Sequence, residues 1–213
     1  MSISTMIHTI KKRPGLYLGS NSITALNHFL NGYQAAERDF GVPKNGIPKN
    51  TNLFPLPFRY MSEFTKIRLQ NRSNLGWCHY ILNVCNGDEE QALNTFFELY
   101  DEYEQIRMKR CWKAALTENN IEYNNSMEHG YSVRENKKMP IFINPIAVYI
   151  VELTISAFIL VVEASDEISI DPQFFKSFEG AKGNGSLPLG AQHYFGEINN
   201  WKEVFDTSIN LPI

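Results

Sequence analysis

MPIFINPIAVYIVELTISAFILVV, residues 139–162, is the stretch whose reading decides the fold. It is long enough to cross a bilayer as a helix. Yet Glu152, Thr154 and Ser156 lie inside it, with Asn144 and Pro145 upstream, and a carboxylate in hydrocarbon is expensive. The remaining positions are dominated by Ile and Val, whose branched Cβ favours strands over helices. Two buried strands, over 147–153 and 157–164, satisfy these constraints and a membrane helix does not. Glu152 must then sit at a sheet edge, pair with a base or face solvent.

The rest of the composition agrees with a water-soluble globular chain. Of 213 residues, 43% are apolar and 20% charged, enough to build a sizeable core and too apolar for a disordered chain. A net charge of -3 gives no reason to expect nucleic acid or an anionic membrane as partner. Cys78, Cys85 and Cys111 are odd in number and lack Cys-x-x-Cys spacing, which implies buried free thiols in a reducing cytoplasm. The start, MSISTMIHTIKKRPG, has no apolar signal core.

Charge is distributed unevenly. Residues 1–80 hold ten Lys/Arg against three Asp/Glu, residues 150–213 hold nine acids against three bases, and residues 86–104 hold seven acids and no base. Such a run is either a solvated helix face or a docking surface for a basic partner.

Upstream of the strands the chain reads as helical. Lys11, Lys12 and Arg13 precede a Pro14-Gly15 turn, after which Leu16, Tyr17 and Leu18 read as a short extended piece. Ser22 is a suitable N-cap for a helix over Ile23–Phe40, where Ile23, Leu26, Phe29, Leu30, Tyr33, Ala36 and Phe40 recur at helical spacing. Gly41 and Pro43 stop it. Residues 41–57, with four prolines and two glycines, form an irregular connection. Helical spacing partly returns from Phe58 to Leu69, and Trp77–Val84 is either the end of that region or a short helix of its own. Asp88 caps a helix expected to run to about Arg110, with Glu89 and Glu90 at its positive end and Arg107, Lys109 and Arg110 at its negative end. Beyond the Asn-rich residues 117–138, which have room for one short element, come the strands, a loop or short helix through Phe174, Phe175 and Phe178, a glycine-rich stretch to Gly190, and a short last helix from Ile198 to Phe205.

Motifs for chemistry are missing. Histidines 8, 28, 79, 129 and 193 form no metal-binding spacing. There is no G-x-S-x-G, and no Cys lies in a small-residue turn of the kind that marks a nucleophile. Gly180, Gly183, Gly185 and Gly190 lack the phosphate-loop pattern. Glu89/Glu90 and Asp101/Glu102 are sequence neighbours, which do not face each other on a helix. No metal and no cofactor is expected.

Two stretches carry a resemblance. Ile10-Lys11-Lys12-Arg13-Pro14-Gly15-Leu16-Tyr17-Leu18-Gly19, followed by the helix ending near Gly32-Tyr33, is one; the other runs from Gly76-Trp77 through Asn86-Gly87-Asp88-Glu89-Glu90 to Tyr100-Asp101-Glu102-Tyr103. Together, over about residues 6–106, they resemble small bacterial immunity proteins of toxin–immunity systems of the contact-dependent growth inhibition type. That resemblance implies a non-catalytic protein that binds and neutralises a cognate toxin; a toxin of the nuclease class would be basic, since phosphate binding demands it. The K-R-P-G-x-Y-x-G string is also similar to a segment near the nucleotide site of type II topoisomerase ATPase subunits, although the glycine-rich lid and the acidic Mg-binding helix of that family are not recognisable.

The sequence therefore predicts an α+β protein: a helical region over 1–116, a polar linker or loop over 117–138, and a small, mainly antiparallel β-rich region over 139–213 packed with the helices. Its expected role is immunity, with a protein toxin as partner and neither nucleic acid nor membrane. Asp88, Glu89, Glu90, Glu98, Asp101, Glu102 and Glu104 are the candidate partner-binding acids. The alternative is a nucleotide- or anion-binding module, or an enzyme of a defence system, using Lys12, Arg13, Gly15 and Gly19.

Overall fold

A computed structural model describes residues 2–40, 54–70, 75–115, 121–123, 145–164, 173–183, 193–195, 198 and 200–204. The chain is α+β. It divides into two compact units, one of Met1–Asn45 with Phe54–Ile106 and one of Gly46–Leu53 with Arg107–Ile213.

The first unit is helical: α1 (Ile3–Lys12), α2 (Pro14–Leu18), α3 (Ile23–Phe40), a single 3-10 turn (Phe58–Tyr60), α4 (Met61–Arg68), α5 (Trp77–Val84) and α6 (Glu89–Glu104). Helix α6 organises it. Ala92, Leu93, Phe96, Phe97, Leu99, Tyr100 and Tyr103 are all buried, a stripe too wide to be covered by one neighbour, and α3, α4 and α5 all pack on it. Its rings stack onward, with Phe96 4.7 Å from Trp77 and Tyr103 5.3 Å from Phe64. The turn into α6 is built from local chemistry. Asn86 takes the left-handed conformation at φ 52°, the Gly87 amide donates to Leu82 O and the Asn86 amide to Asn83 O, which closes α5 with a Schellman motif. Asp88 then caps α6, accepting from the Glu90 and Gln91 amides at 3.1 and 2.9 Å.

The second unit contains a five-stranded antiparallel sheet in the order β5-β4-β3-β1-β7, from β1 (Met108–Ala115), β3 (Pro145–Leu153), β4 (Phe158–Ala164), β5 (Gln173–Phe175) and β7 (Lys202–Val204). Strands β2 (Ile121–Tyr123) and β6 (His193–Phe195) form a separate pair, and α7 spans Phe178–Gly183. The 139–162 run supplies the central hairpin. Val148 pairs with Val162 and Ile150 with Leu160, so alternate residues bury one face against Ala181 of α7 and Ile198. Trp112, Phe158, Phe175, Phe178 and Trp201 rim that cluster. Glu152 is buried and pairs with two bases, Lys109 at 2.8 Å and Arg110 at 2.5 Å. Among the described residues no helix is long and apolar enough to cross a membrane.

Four expectations change. Leu16, Tyr17 and Leu18 are helical, not extended, because Pro14 occupies the first helical position and Gly19, left-handed at φ 74°, closes the turn with its amide on Gly15 O. Helix α6 ends at Glu104, so Arg107, Lys109 and Arg110 lie outside it; pairing of β1 with β3 and the Glu152 carboxylate draws Lys109 and Arg110 into the sheet. Phe174 and Phe175 lie on strand β5, with α7 beginning at Phe178. Among the described residues no helix follows Ile198: residues 202–204 extend the sheet against Cys111, Trp112 and Lys113, a case of tertiary pairing overriding local preference. The irregular connection up to residue 53, the polar stretch 117–138 apart from β2, and the glycine-rich residues 184–190 lie outside the described residues.

Candidate functional site

The seven acids of residues 88–104 do not act as one surface. Four of them tie the unit together. Glu104 accepts from Ser4 Oγ at 2.6 Å and pairs with His8 Nε2 at 2.7 Å. Asp101 pairs with Lys11. Glu89 receives Ser22 Oγ and Thr24 Oγ1, each at 2.7 Å, and the Thr24 amide at 3.0 Å. Glu90 adds a bond from Asn21 Nδ2 at 3.1 Å. Rising residue numbers from Ser4 to Thr24 thus meet falling numbers from Glu104 to Glu89, so this N-terminal stretch runs antiparallel along α6. Glu102 points elsewhere, to Arg68 Nε on α4 at 2.9 Å, because successive helical residues are separated by about 100° around the axis.

Glu89 is the most heavily engaged acid. The Thr24 hydroxyl first, then the Thr24 amide and the Ser22 hydroxyl, hold its carboxyl below the usual range, against the opposing effect of burial. Ser22 Oγ also accepts from the Ala25 amide at 3.1 Å, so the N-cap expected there exists and is itself anchored on α6.

What remains open is narrower. Asp88, Glu90 and Glu98, with Gln91, Asn94 and Thr95, line a shallow polar depression of about 480 Å³ on α6. Asp88 serves the helix cap and Glu90 meets only the Asn21 amide group; none of the three acids has a cation opposite it among the described residues. The arrangement can attract and orient positive charge.

The anion-site residues are not assembled as a phosphate cradle. Lys12 ends α1, Arg13 links α1 to α2, and Gly15 and Gly19 lie at opposite ends of one helical turn, with the Gly19 amide already bonded. The Cys78 and Cys111 thiols are unsuited to nucleophilic work. Burial pushes both Cys78 and Cys111 up to about 11, and the nearby Glu89 carboxylate adds to the effect at Cys78. Among the described residues no group of three or more His, Cys, Asp or Glu could hold a metal ion.

No protein-family model, curated protein or solved structure matches the chain.

Sequence reasoning missed the partners of these acids because their contacts span 65 to 100 residues, beyond any local pattern. It also missed that Leu16 and Tyr17 stand in solvent, 69% and 41% exposed. The signal for that was present: proline and glycine five residues apart bracket one helical turn with no second turn to bury it.

Proposed function

We propose that this chain is a non-catalytic binding protein of the immunity type, which neutralises a cognate protein toxin in the cytoplasm by occluding it. The observation that carries the reading is the acidic depression: Asp88, Glu90 and Glu98 gather on one open helix face with no cation opposite them among the described residues, while Glu89, Asp101, Glu102 and Glu104 are engaged within the fold. Toxins that attack nucleic acids need cationic surfaces for phosphate. Uncompensated carboxylates speed encounter with such a surface and cover it once bound.

The partner-facing acids are therefore Glu90 and Glu98, flanked by Asp88. Asp101, Glu102 and Glu104 are excluded from the test because reversing them would break their pairs with Lys11, Arg68 and His8. The probe is the protein encoded beside this chain's gene. Wild type should bind it stoichiometrically and protect cells that express it. Glu90→Lys with Glu98→Lys should keep the fold and slow association roughly tenfold at low salt, with less effect at high salt, since each rim charge is worth about 1 kcal/mol or less. Unchanged association rates in the double variant would refute the acidic-face assignment. Failure of wild type to bind or protect would refute the immunity reading itself. The nucleotide-binding alternative predicts a micromolar, stoichiometric calorimetric signal with ATP and Mg that disappears in Arg13→Ala.

A further inference from the structure

Between the Lys11–Asp101 pair and the Asn21–Glu90 bond, the chain forms a projection of mostly exposed residues around the single turn α2. Four features define its conformation: those two ties, Pro14 at the start of α2, and left-handed Gly19 at its end. Yet α2 buries none of its residues. Leu16 is 69% exposed and Tyr17 41%, whereas Ile7 and Ile10 of the preceding helix are completely covered. Pro14 and Leu18 are half-buried, but Leu16 and Tyr17 stand side by side in solvent, and such adjacent apolar surface is available for a contact.

Charge limits what can cover it. Lys12 and Arg13 lead directly into the projection and are exposed. Lys11 beside them is paired with Asp101, but neither Lys12 nor Arg13 has an ion-pair partner among the described residues. We propose that this α1–α2 corner docks an acidic segment of a partner protein, one in which an apolar pocket or side chain flanked by Asp or Glu receives Leu16 and Tyr17. Tyr and Arg are the residue types most enriched where interfaces concentrate their energy. Two cations and one leucine are too few for stable attachment to a bilayer, which takes two strong membrane signals. This surface carries the opposite charge and its contact residues are different ones; it meets the acidic depression only through the Asn21–Glu90 bond, and the variants below leave Glu90 untouched.

The test pans the full chain against a phage-displayed library of random peptides. Peptides rich in Asp and Glu around an apolar residue should be enriched and, once synthesised with a fluorophore, should bind saturably. Leu16→Ala with Tyr17→Ala, and separately Lys12→Glu with Arg13→Glu, should each weaken binding about tenfold or more, equivalent to about 1.4 kcal/mol. Near-UV circular dichroism and the urea midpoint of each double variant, both expected to match wild type, show that the fold survives. Recovery of no peptide, or peptides that bind both variants like wild type, overturns the proposal. So does binding that depends on these residues only toward vesicles of phosphatidylcholine and phosphatidylglycerol, or a dimer in sedimentation velocity that dissociates in the Leu16→Ala, Tyr17→Ala chain.

Discussion

Glu89 and Glu152 solve the same problem differently. Each is a carboxylate drawn partly or wholly out of water. Glu89 is satisfied by hydroxyls and an amide from Ser22 and Thr24, and Glu152 by the charges of Lys109 and Arg110. Removing the Glu89 carboxylate leaves the Thr24 hydroxyl and amide without an acceptor at the start of α3. Hydrogen bonds to a charged group are worth more than neutral ones, so Glu89→Ala should destabilise the protein by about 1–2 kcal/mol after allowing for partial exposure. A urea midpoint equal to wild type would contradict this. The cysteines give a second prediction at this scale. With Cys78 and Cys111 raised to about 11 by burial, almost no thiolate exists at neutral pH. Native protein should therefore react with a thiol-labelling reagent at those positions only as fast as it unfolds; prompt labelling of either in native protein would contradict their burial. Asp88 as a cap was legible in the sequence because a cap acts over two or three residues. The bond from Thr24 to Glu89 was not, since nothing local to either residue announces the other.

Helix and strand boundaries are decided by which neighbour competes for the backbone. Periodicity located α3 and α6 because their apolar stripes are long. It overran the end of α6 because Lys109 and Arg110 suit a helix C-terminus as well as they suit Glu152. The Schellman turn before α6 and the one-turn α2 are both punctuated by residues that tolerate left-handed backbone. Gly19 and Gly76 are the two glycines at which this matters most. Gly19 has φ 74°, and Gly76 leads into α5 at φ 92° and ψ 164°, a region that side chains with a Cβ seldom enter. Neither is crowded: an added Cβ would meet nothing within 4 Å at Gly19 and only Ser62 Oγ at 3.8 Å at Gly76. The expected penalty is therefore conformational, about 1–2 kcal/mol for Gly19→Ala and about 1–3 kcal/mol for Gly76→Ala. Crystal packing or helix content is a poor readout for so local a change; the midpoint of chemical denaturation is the measurement, and an unchanged midpoint at Gly76→Ala would show that the backbone there relaxes freely. Phe96→Ala in the middle of α6 should cost more, about 3–5 kcal/mol, because it empties a fully buried ring site between Trp77 and Tyr100.

At the scale of the whole chain, the described residues of each compact unit include a carboxylate whose ionised form is preferred in the fold. Hydrogen bonds from Thr24 lower Glu89. At Glu152, burial raises the carboxyl, but the hydrogen bonds and charges of Lys109 and Arg110 outweigh it and leave it lowered. Both groups have an ordinary value of 4.5 and a lower one when folded, so the unfolded chain takes up protons first as the solution is acidified. Their contribution to stability is complete at neutral pH, starts to fall as the pH approaches 4.5, and is gone once the pH drops below the folded values. Replacing either by glutamine should lower stability at pH 7 and flatten its decline in acid. The two effects should add, because the carboxylates share no partner. Tryptophan separates the units: Trp77 belongs to the helical one, Trp112 and Trp201 to the sheet. In a chain carrying Trp112→Phe and Trp201→Phe, urea unfolding followed by the remaining indole should lose stability from pH 6 to pH 3, and Glu89→Gln should reduce that loss. With Trp77→Phe instead, Glu152→Gln should do the same for the sheet. If both glutamine variants kept the wild-type pH dependence, the carboxylates would not be the acid-sensitive groups, and the hydrogen bonds from Thr24, Lys109 and Arg110 would be too weak in solution to hold them ionised.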